Sequence, residues 1–168
     1  MVILVTGPES SGKTTLARAL AWALDGVFVA EAARDYLNQR DGQYTAADLP
    51  NIWALQQEAE DAARASSASF VICDTGPEVI RIWAEVKYGK ATEATVRATE
   101  ERHYDLTLLC QPDLPWQPDP LREAPDPEAR AALFQRYRAT LPVDGRVQLI
   151  HGRARLALAL RIINECLT

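Results

Sequence analysis

The sequence predicts an α/β sandwich built around a parallel sheet. Three observations carry that prediction: short apolar runs recur along the chain, segments with helical apolar spacing separate them, and a glycine-rich turn follows the first run directly. Uniformly apolar runs suit strands buried on both faces, and intervening helices supply the crossovers that parallel strands need.

Val2 to Val5 is the first strand. A helix follows from Lys13 to Leu24, where Leu16, Leu20, Ala23 and Leu24 recur at helical spacing, and Asp25-Gly26 ends it. Val27 to Ala30 reads as the second strand, residues 31 to 38 as a short helix, and the polar stretch through Asp41-Gly42 as a loop. Pro50 suits the first turn of a helix running to about Ala65. Phe70 to Cys73 is the third strand, followed by helices from Glu78 to Lys87 and from Thr92 to Arg102. Leu106 to Cys110 is the fourth strand. Residues 112–127 hold six of the ten prolines, so that stretch is a loop with little ladder hydrogen bonding. Asp126 can cap a helix from Pro127 to Thr140. Val147 to Ile150 makes the fifth strand, and a last helix carries Leu156, Leu160, Ile163 and Leu167 as its apolar stripe. Ligands of such sheets bind at the carboxyl ends of the strands, which places the turns after residues 5, 30, 73 and 110 on one rim.

Composition narrows the class. At 168 residues, 48% apolar and 24% charged, the chain fits one globular domain. A net charge of −5 and a pI near 5.1 argue against non-specific binding to a nucleic-acid backbone. No apolar run approaches the ~18 residues of a membrane span, and the N-terminus lacks a signal peptide's basic start. Cys73, Cys110 and Cys166 are odd in number and lack metal-site spacing, so a reducing cytoplasm is the expected compartment.

The rim carries the chemistry. Gly7-Pro8-Glu9-Ser10-Ser11-Gly12-Lys13-Thr14 matches G-x-x-x-x-G-K-[ST] between a strand and a helix, and Thr15 follows. Glycines let successive N–H groups turn into one concavity, and the helix start adds its positive dipole end, so the loop suits phosphates. Lys13 is expected to reach the β- and γ-phosphates of ATP, and the Thr14 hydroxyl to ligate Mg²⁺. Asp74, at the end of the third strand, is the expected second metal ligand. Glu31 and Arg34 follow the second strand on one helical face, where a carboxylate can accept hydrogen bonds from a sugar or act as base for a hydroxyl. Arg122 lies in the proline-rich stretch, as a mobile arginine over a transferring phosphoryl group would. Arg130 and Arg136 fit either that role or a surface one. Trp116 fits stacking on a flat ring or pinning the loop.

With these residues in hand, the chain resembles the ribosylnicotinamide kinase domain of NadR-type proteins and their stand-alone P-loop relatives. The resemblance runs from Gly7 through Thr15 to Glu31…Arg34-Asp35-Tyr36, Asp74-Thr75, and Ile82-Trp83-Ala84-Glu85…Lys87-Tyr88-Gly89. It continues through Tyr104-Asp105-Leu106…Leu109 into Leu114-Pro115-Trp116…Pro118-Asp119-Pro120-Leu121-Arg122. It implies a P-loop kinase fold with five parallel strands sandwiched by helices, one domain over 1–168, and a lid over about 118–130. It implies ATP- and Mg²⁺-dependent phosphorylation of the 5′-hydroxyl of nicotinamide riboside, giving nicotinamide mononucleotide. Asp119 joins Glu31, Arg34 and Trp116 as substrate-binding candidates, and either Glu31 or Asp74 is the base. Bifunctional NadR-type proteins carry an adenylyltransferase domain before the kinase; this chain opens at the first strand, so only the kinase step is expected. Relatives often carry another acid two residues after the aspartate, where this chain has Gly76. The competing readings are a kinase for another nucleoside or nucleotide, and a nucleotide-dependent switch or binding module.

Overall fold

A computed structural model describes residues 1–167. Its strands are β1 (Val2–Thr6), β2 (Val27–Val29), β3 (Val71–Asp74), β4 (Leu106–Cys110) and β5 (Val147–Ile150), and they form one parallel sheet in the order β2-β3-β1-β4-β5. Its helices are α1 (Lys13–Ala23), α2 (Ala32–Asn38), α3 (Leu49–Arg64), α4 (Pro77–Tyr88), α5 (Glu93–Glu101), α6 (Pro127–Thr140) and α7 (Arg155–Leu167).

Side chains alternate across the strands, so each strand feeds two cores. Ile3, Val5, Ile72, Leu106, Leu108 and Ile150 pack beneath α1 and α7. Leu4, Val71, Cys73 and Leu109 face the opposite layer, which holds α3, α4 and α6. Such near-complete burial explains the uniformly apolar runs. No helix among the described residues is long and apolar enough to cross a membrane.

The sheet order positions the site. β1 is central, with β3 on one side and β4 on the other. The connection after β1 leads to β2 at one edge, and that after β4 leads to β5 at the other, so a crevice opens between the carboxyl ends of β1 and β4.

Beyond shifts of a residue or two at element ends, three features differ from the sequence expectation. A 3-10 turn, Ala46–Asp48, precedes α3; Asp48 accepts from the Thr45 N–H and hydroxyl, closing a capping box that a loop reading passes over. β3 includes Asp74, paired in register with Val5, so this carboxylate sits on strand backbone rather than in a loop. On α7 the buried face is Arg155, Ala159, Ile162 and Ile163, while Leu167 is exposed. A stripe stepped by three and four has two neighbouring solutions on one helix, and packing against α1 selects the one centred on Ala159.

Candidate active site

The turn from β1 into α1 forms the floor. Gly7 has φ +134° and Ser10 φ +55°, which fold the loop back on itself. A Cβ on Gly7 would collide with the backbone carbonyl of Cys110, so the loop packs against the end of β4 as only glycine allows. No side chain caps α1 and its first turn carries no acid, which leaves the helix-start N–H groups and their positive end for an anion. The Lys13 ammonium donates to the Pro8 carbonyl at 3.0 Å, folded over the same loop.

Asp74 stands beside this floor at 1% exposure, and neither carboxylate oxygen has a hydrogen-bond partner. Its carboxyl is raised above the usual carboxylate range, chiefly by burial, with Lys13 and the nearby Thr14 hydroxyl opposing. An orphaned buried carboxylate is costly, and a hydroxyl and an ammonium adjoin it. That donor set fits Mg²⁺, which typically takes one or two protein oxygens and completes its shell with phosphate oxygens and waters. No group of three or more His, Cys, Asp or Glu that could hold a metal occurs among the described residues.

Glu31 opens α2 as its N-cap residue but makes no side-chain cap bond. The capping role falls to Gln56 of α3, whose Oε1 accepts from the Ala32 N–H at 2.8 Å. Glu31 is left to line the cavity. Burial raises its carboxyl, Lys13 opposes, and Asp74 raises it further, so the charges of Lys13, Asp74 and Arg34 converge on one carboxyl.

Above the floor lies a cavity of about 1060 Å³. The P-loop residues 7–15, Glu31 and Arg34 line it together with Tyr44, Trp83, Lys87, Arg122 and Glu123. Most of residues 114–126 form one wall, and the segment is laced to the floor. Ser10 Oγ accepts from Gln117 N–H at 3.0 Å, and Glu9 Oε2 accepts from Glu123 N–H at 3.0 Å and Ala124 N–H at 2.9 Å. Arg122 lines the cavity while donating to the Gln117 carbonyl and lying over the Trp116 ring, 5.8 Å from its centroid.

Three candidate residues of the proline-rich loop and α6 lie off the cavity wall. Trp116 is not on the cavity wall; Arg122 and Arg130 lie over its ring, and it pins the loop. Asp119 is likewise off the wall, paired with Arg34 at 3.0 Å and accepting from Leu121 N–H. Arg130 is 6% exposed and buried against the loop, whereas Arg136 lines the cavity. The first turn of α6 holds residues 127–130, so only 118–126 of the expected lid is irregular.

Several residues to which the sequence assigns no role also shape the site. Tyr44 and Trp83 meet edge to face, with ring centroids 4.6 Å apart, and the Trp83 indole N–H donates to the Tyr44 hydroxyl at 2.8 Å. Lys87 donates to the same hydroxyl and to Glu123 at 2.8 Å. Arg155, buried at the start of α7, holds the carbonyls of Ile150 and Gln111 and pairs with Asp113. Glu78 is 2% exposed, accepts from the Thr6 hydroxyl at 2.6 Å and the Gly76 N–H at 3.2 Å, and is pushed up to about 7 by burial. A signal existed for the buried polar residues: Ile52, Gln56 and Glu60 step by four along α3, which sets two polar side chains on the apolar stripe.

Solved structures share this fold. NadR in complex with NR superposes at a TM-score of 0.76 and NadR in complex with NAD and AMP-PNP at 0.80, both at 22% identity over 98% of this chain. The chain spans about half of their length, 50% and 48%. Thymidylate kinase from Ehrlichia chaffeensis matches at 0.69 with 15% identity, covering all of this chain and 98% of that one. No curated protein sequence matches significantly. The fold is therefore that of P-loop kinases, and the match of residues 2–150 to the AAA domain family places the chain in that family.

Proposed function

We propose that the chain is a cytoplasmic, ATP-dependent kinase that phosphorylates the 5′-hydroxyl of nicotinamide riboside, giving nicotinamide mononucleotide for NAD salvage. The observation that carries the phosphotransfer reading is the orphaned Asp74 carboxylate beside an uncapped helix start, Lys13 and Thr14. The riboside is supported by the motifs quoted above and by the structural likeness to NadR, which was solved with NR.

In this reading the backbone N–H groups of residues 7–15 and Lys13 hold the phosphates of ATP. Thr14 and Asp74 would hold Mg²⁺, which would neutralise phosphate charge. Lys13 leaves the Pro8 carbonyl for the phosphates, an exchange of a neutral acceptor for a charged one. Glu31 faces the acceptor, and its raised affinity for a proton suits it to orient the hydroxyl and take its proton. Arg34 and the Tyr44–Trp83 pair furnish polar and flat apolar contacts for a ribosyl-linked ring. Residues 118–130 act as the lid, with Arg122 moving from Gln117 to the transferring group. The transition state of phosphoryl transfer is loose, so placement and charge supply most of the rate.

The test is direct. Purified chain is incubated with ATP–Mg²⁺ and either nicotinamide riboside, thymidine or thymidine monophosphate, and phosphorylated product is measured. Nicotinamide mononucleotide is expected from the riboside, and Lys13→Ala is expected to lose it at least 100-fold while staying folded. Turnover confined to the thymidine compounds would replace the acceptor, and ATP hydrolysis indifferent to all three would replace the kinase reading with a switch.

A further inference from the structure

Between Asp74 and α4 the backbone does something unusual. Thr75 has φ +72°, a left-handed conformation that a β-branched residue adopts only when its surroundings impose it. Both ends of this residue are held. Its N–H donates to the Val5 carbonyl at 3.0 Å, and its carbonyl lies 3.5 Å from Gln56 Nε2. The next N–H, that of Gly76, donates to Glu78 Oε1. The same carboxyl oxygen accepts from Thr6, the last residue of β1 and the neighbour of Gly7. Gly76 itself leaves the space: a Cβ there would fall 2.6 Å from Glu78 Oε2 and 2.7 Å from the Tyr104 hydroxyl, closer than real contacts allow.

Glu78 thus joins the strand that enters the P-loop to the turn that leaves Asp74, from a wholly buried position on the first turn of α4. Among the described residues it does not line the cavity and pairs with no cation. A buried carboxyl with no ion-pair partner is expensive, and the two groups that it satisfies belong to the flanks of the two proposed metal-holding segments.

We propose that Glu78 is a positioning residue. It bridges Thr6 and Gly76, holds the strained Thr75 turn, and so keeps the Asp74 carboxylate aimed at Thr14 and Lys13. The inference rests on the reading of Asp74 as a metal-holding carboxylate. It also gives Gly76 a reason: a side chain there would displace the brace.

The experiment measures binding of a fluorescent ATP analogue to the full chain, with no acceptor present, as Mg²⁺ is titrated and again in EDTA. Glu78→Leu fills the space but accepts from neither Thr6 nor Gly76. It should raise the half-saturating Mg²⁺ concentration about ten-fold, while affinity in EDTA stays within about two-fold. Glu78→Gln keeps an acceptor oxygen and should restore the wild-type Mg²⁺ response. Thr6→Val removes one half of the bridge, should shift the Mg²⁺ response in the same direction, and serves if Glu78→Leu does not fold. An unshifted Mg²⁺ midpoint in Glu78→Leu, or in Thr6→Val where it stands in, overturns the proposal; so does equal weakening with and without Mg²⁺. A wild-type chain whose nucleotide binding ignores Mg²⁺ overturns the kinase reading itself, and this inference with it.

Discussion

Asp74 and Glu31 are both carboxyls, and Asp74 raises Glu31, yet their surroundings give them different tasks. Asp74 is sealed without a partner and Glu31 looks into the cavity, so their isosteric amides should fail differently. Asp74→Asn should raise the Mg²⁺ requirement, because the amide keeps the shape without the charge that holds a cation. Glu31→Gln should leave the affinity for Mg²⁺–ATP within a few-fold and lower kcat about 100-fold or more, the usual worth of a positioned base. Nucleotide titrations beside single-turnover rates distinguish the two, and equal loss of ATP affinity in both would move Glu31 to the donor side. Glu78 gives a separate pH signature. Its folded pKa, about 7, lies above the ordinary 4.5, so the native state holds the proton more tightly than the unfolded chain. Its contribution is full below about 4.5 and declines as pH rises toward 7, by a total of about 3 kcal/mol. Glu78→Gln removes this slope, so denaturant unfolding should show the variant gaining on the wild type between pH 5 and 8, and a constant difference would contradict the assignment.

At the level of elements, the sequence was most legible where burial is two-sided. The inner strands β1, β3 and β4 read as apolar runs because both faces are covered, whereas the edge strand β5 leaves Leu149 exposed; α1 follows from Leu16 and Leu20 at helical spacing. The proline-rich stretch was legible as non-sheet, but not its anchoring, since the Glu9 carboxylate reaches two N–H groups more than a hundred residues away. Nothing local to Glu9 marks it as a latch. These bonds give the lid proposal a defined starting state: Arg122 is parked on Gln117 and Trp116, and it must leave both to reach a phosphoryl group. Arg122→Ala should therefore lower kcat by roughly 10- to 1,000-fold with little change in ATP affinity. Amide exchange of residues 118–126 should slow when an ATP analogue and the riboside bind together. Unchanged exchange with undiminished kcat would leave this segment a fixed wall.

Taken as a whole molecule, the chain places its chemistry where separate elements end, and that convergence is the part that a linear reading reaches least well. The P-loop was legible because its eight residues are contiguous. Tyr44, Trp83, Lys87 and Glu123 form one cavity wall from distant segments, and only the packing of α4 and the proline-rich loop brings them together. If the cavity holds nucleotide, Mg²⁺–ATP at a hundred times its Kd should stabilise the fold by about 2.7 kcal/mol, a Tm rise on the order of 5–10 °C for a chain of this size. Lys13→Ala should abolish that rise at the same ligand concentration. The sealed, partnerless carboxyl at the end of β3 has one more consequence, in the heat of binding. Burial raises the affinity of Asp74 for a proton, so a cation drawn onto it competes with protons there. Calorimetric titration of Mg²⁺ into the ATP-loaded chain, repeated in buffers of different ionisation heat, should then show less proton release in Asp74→Asn than in the wild type.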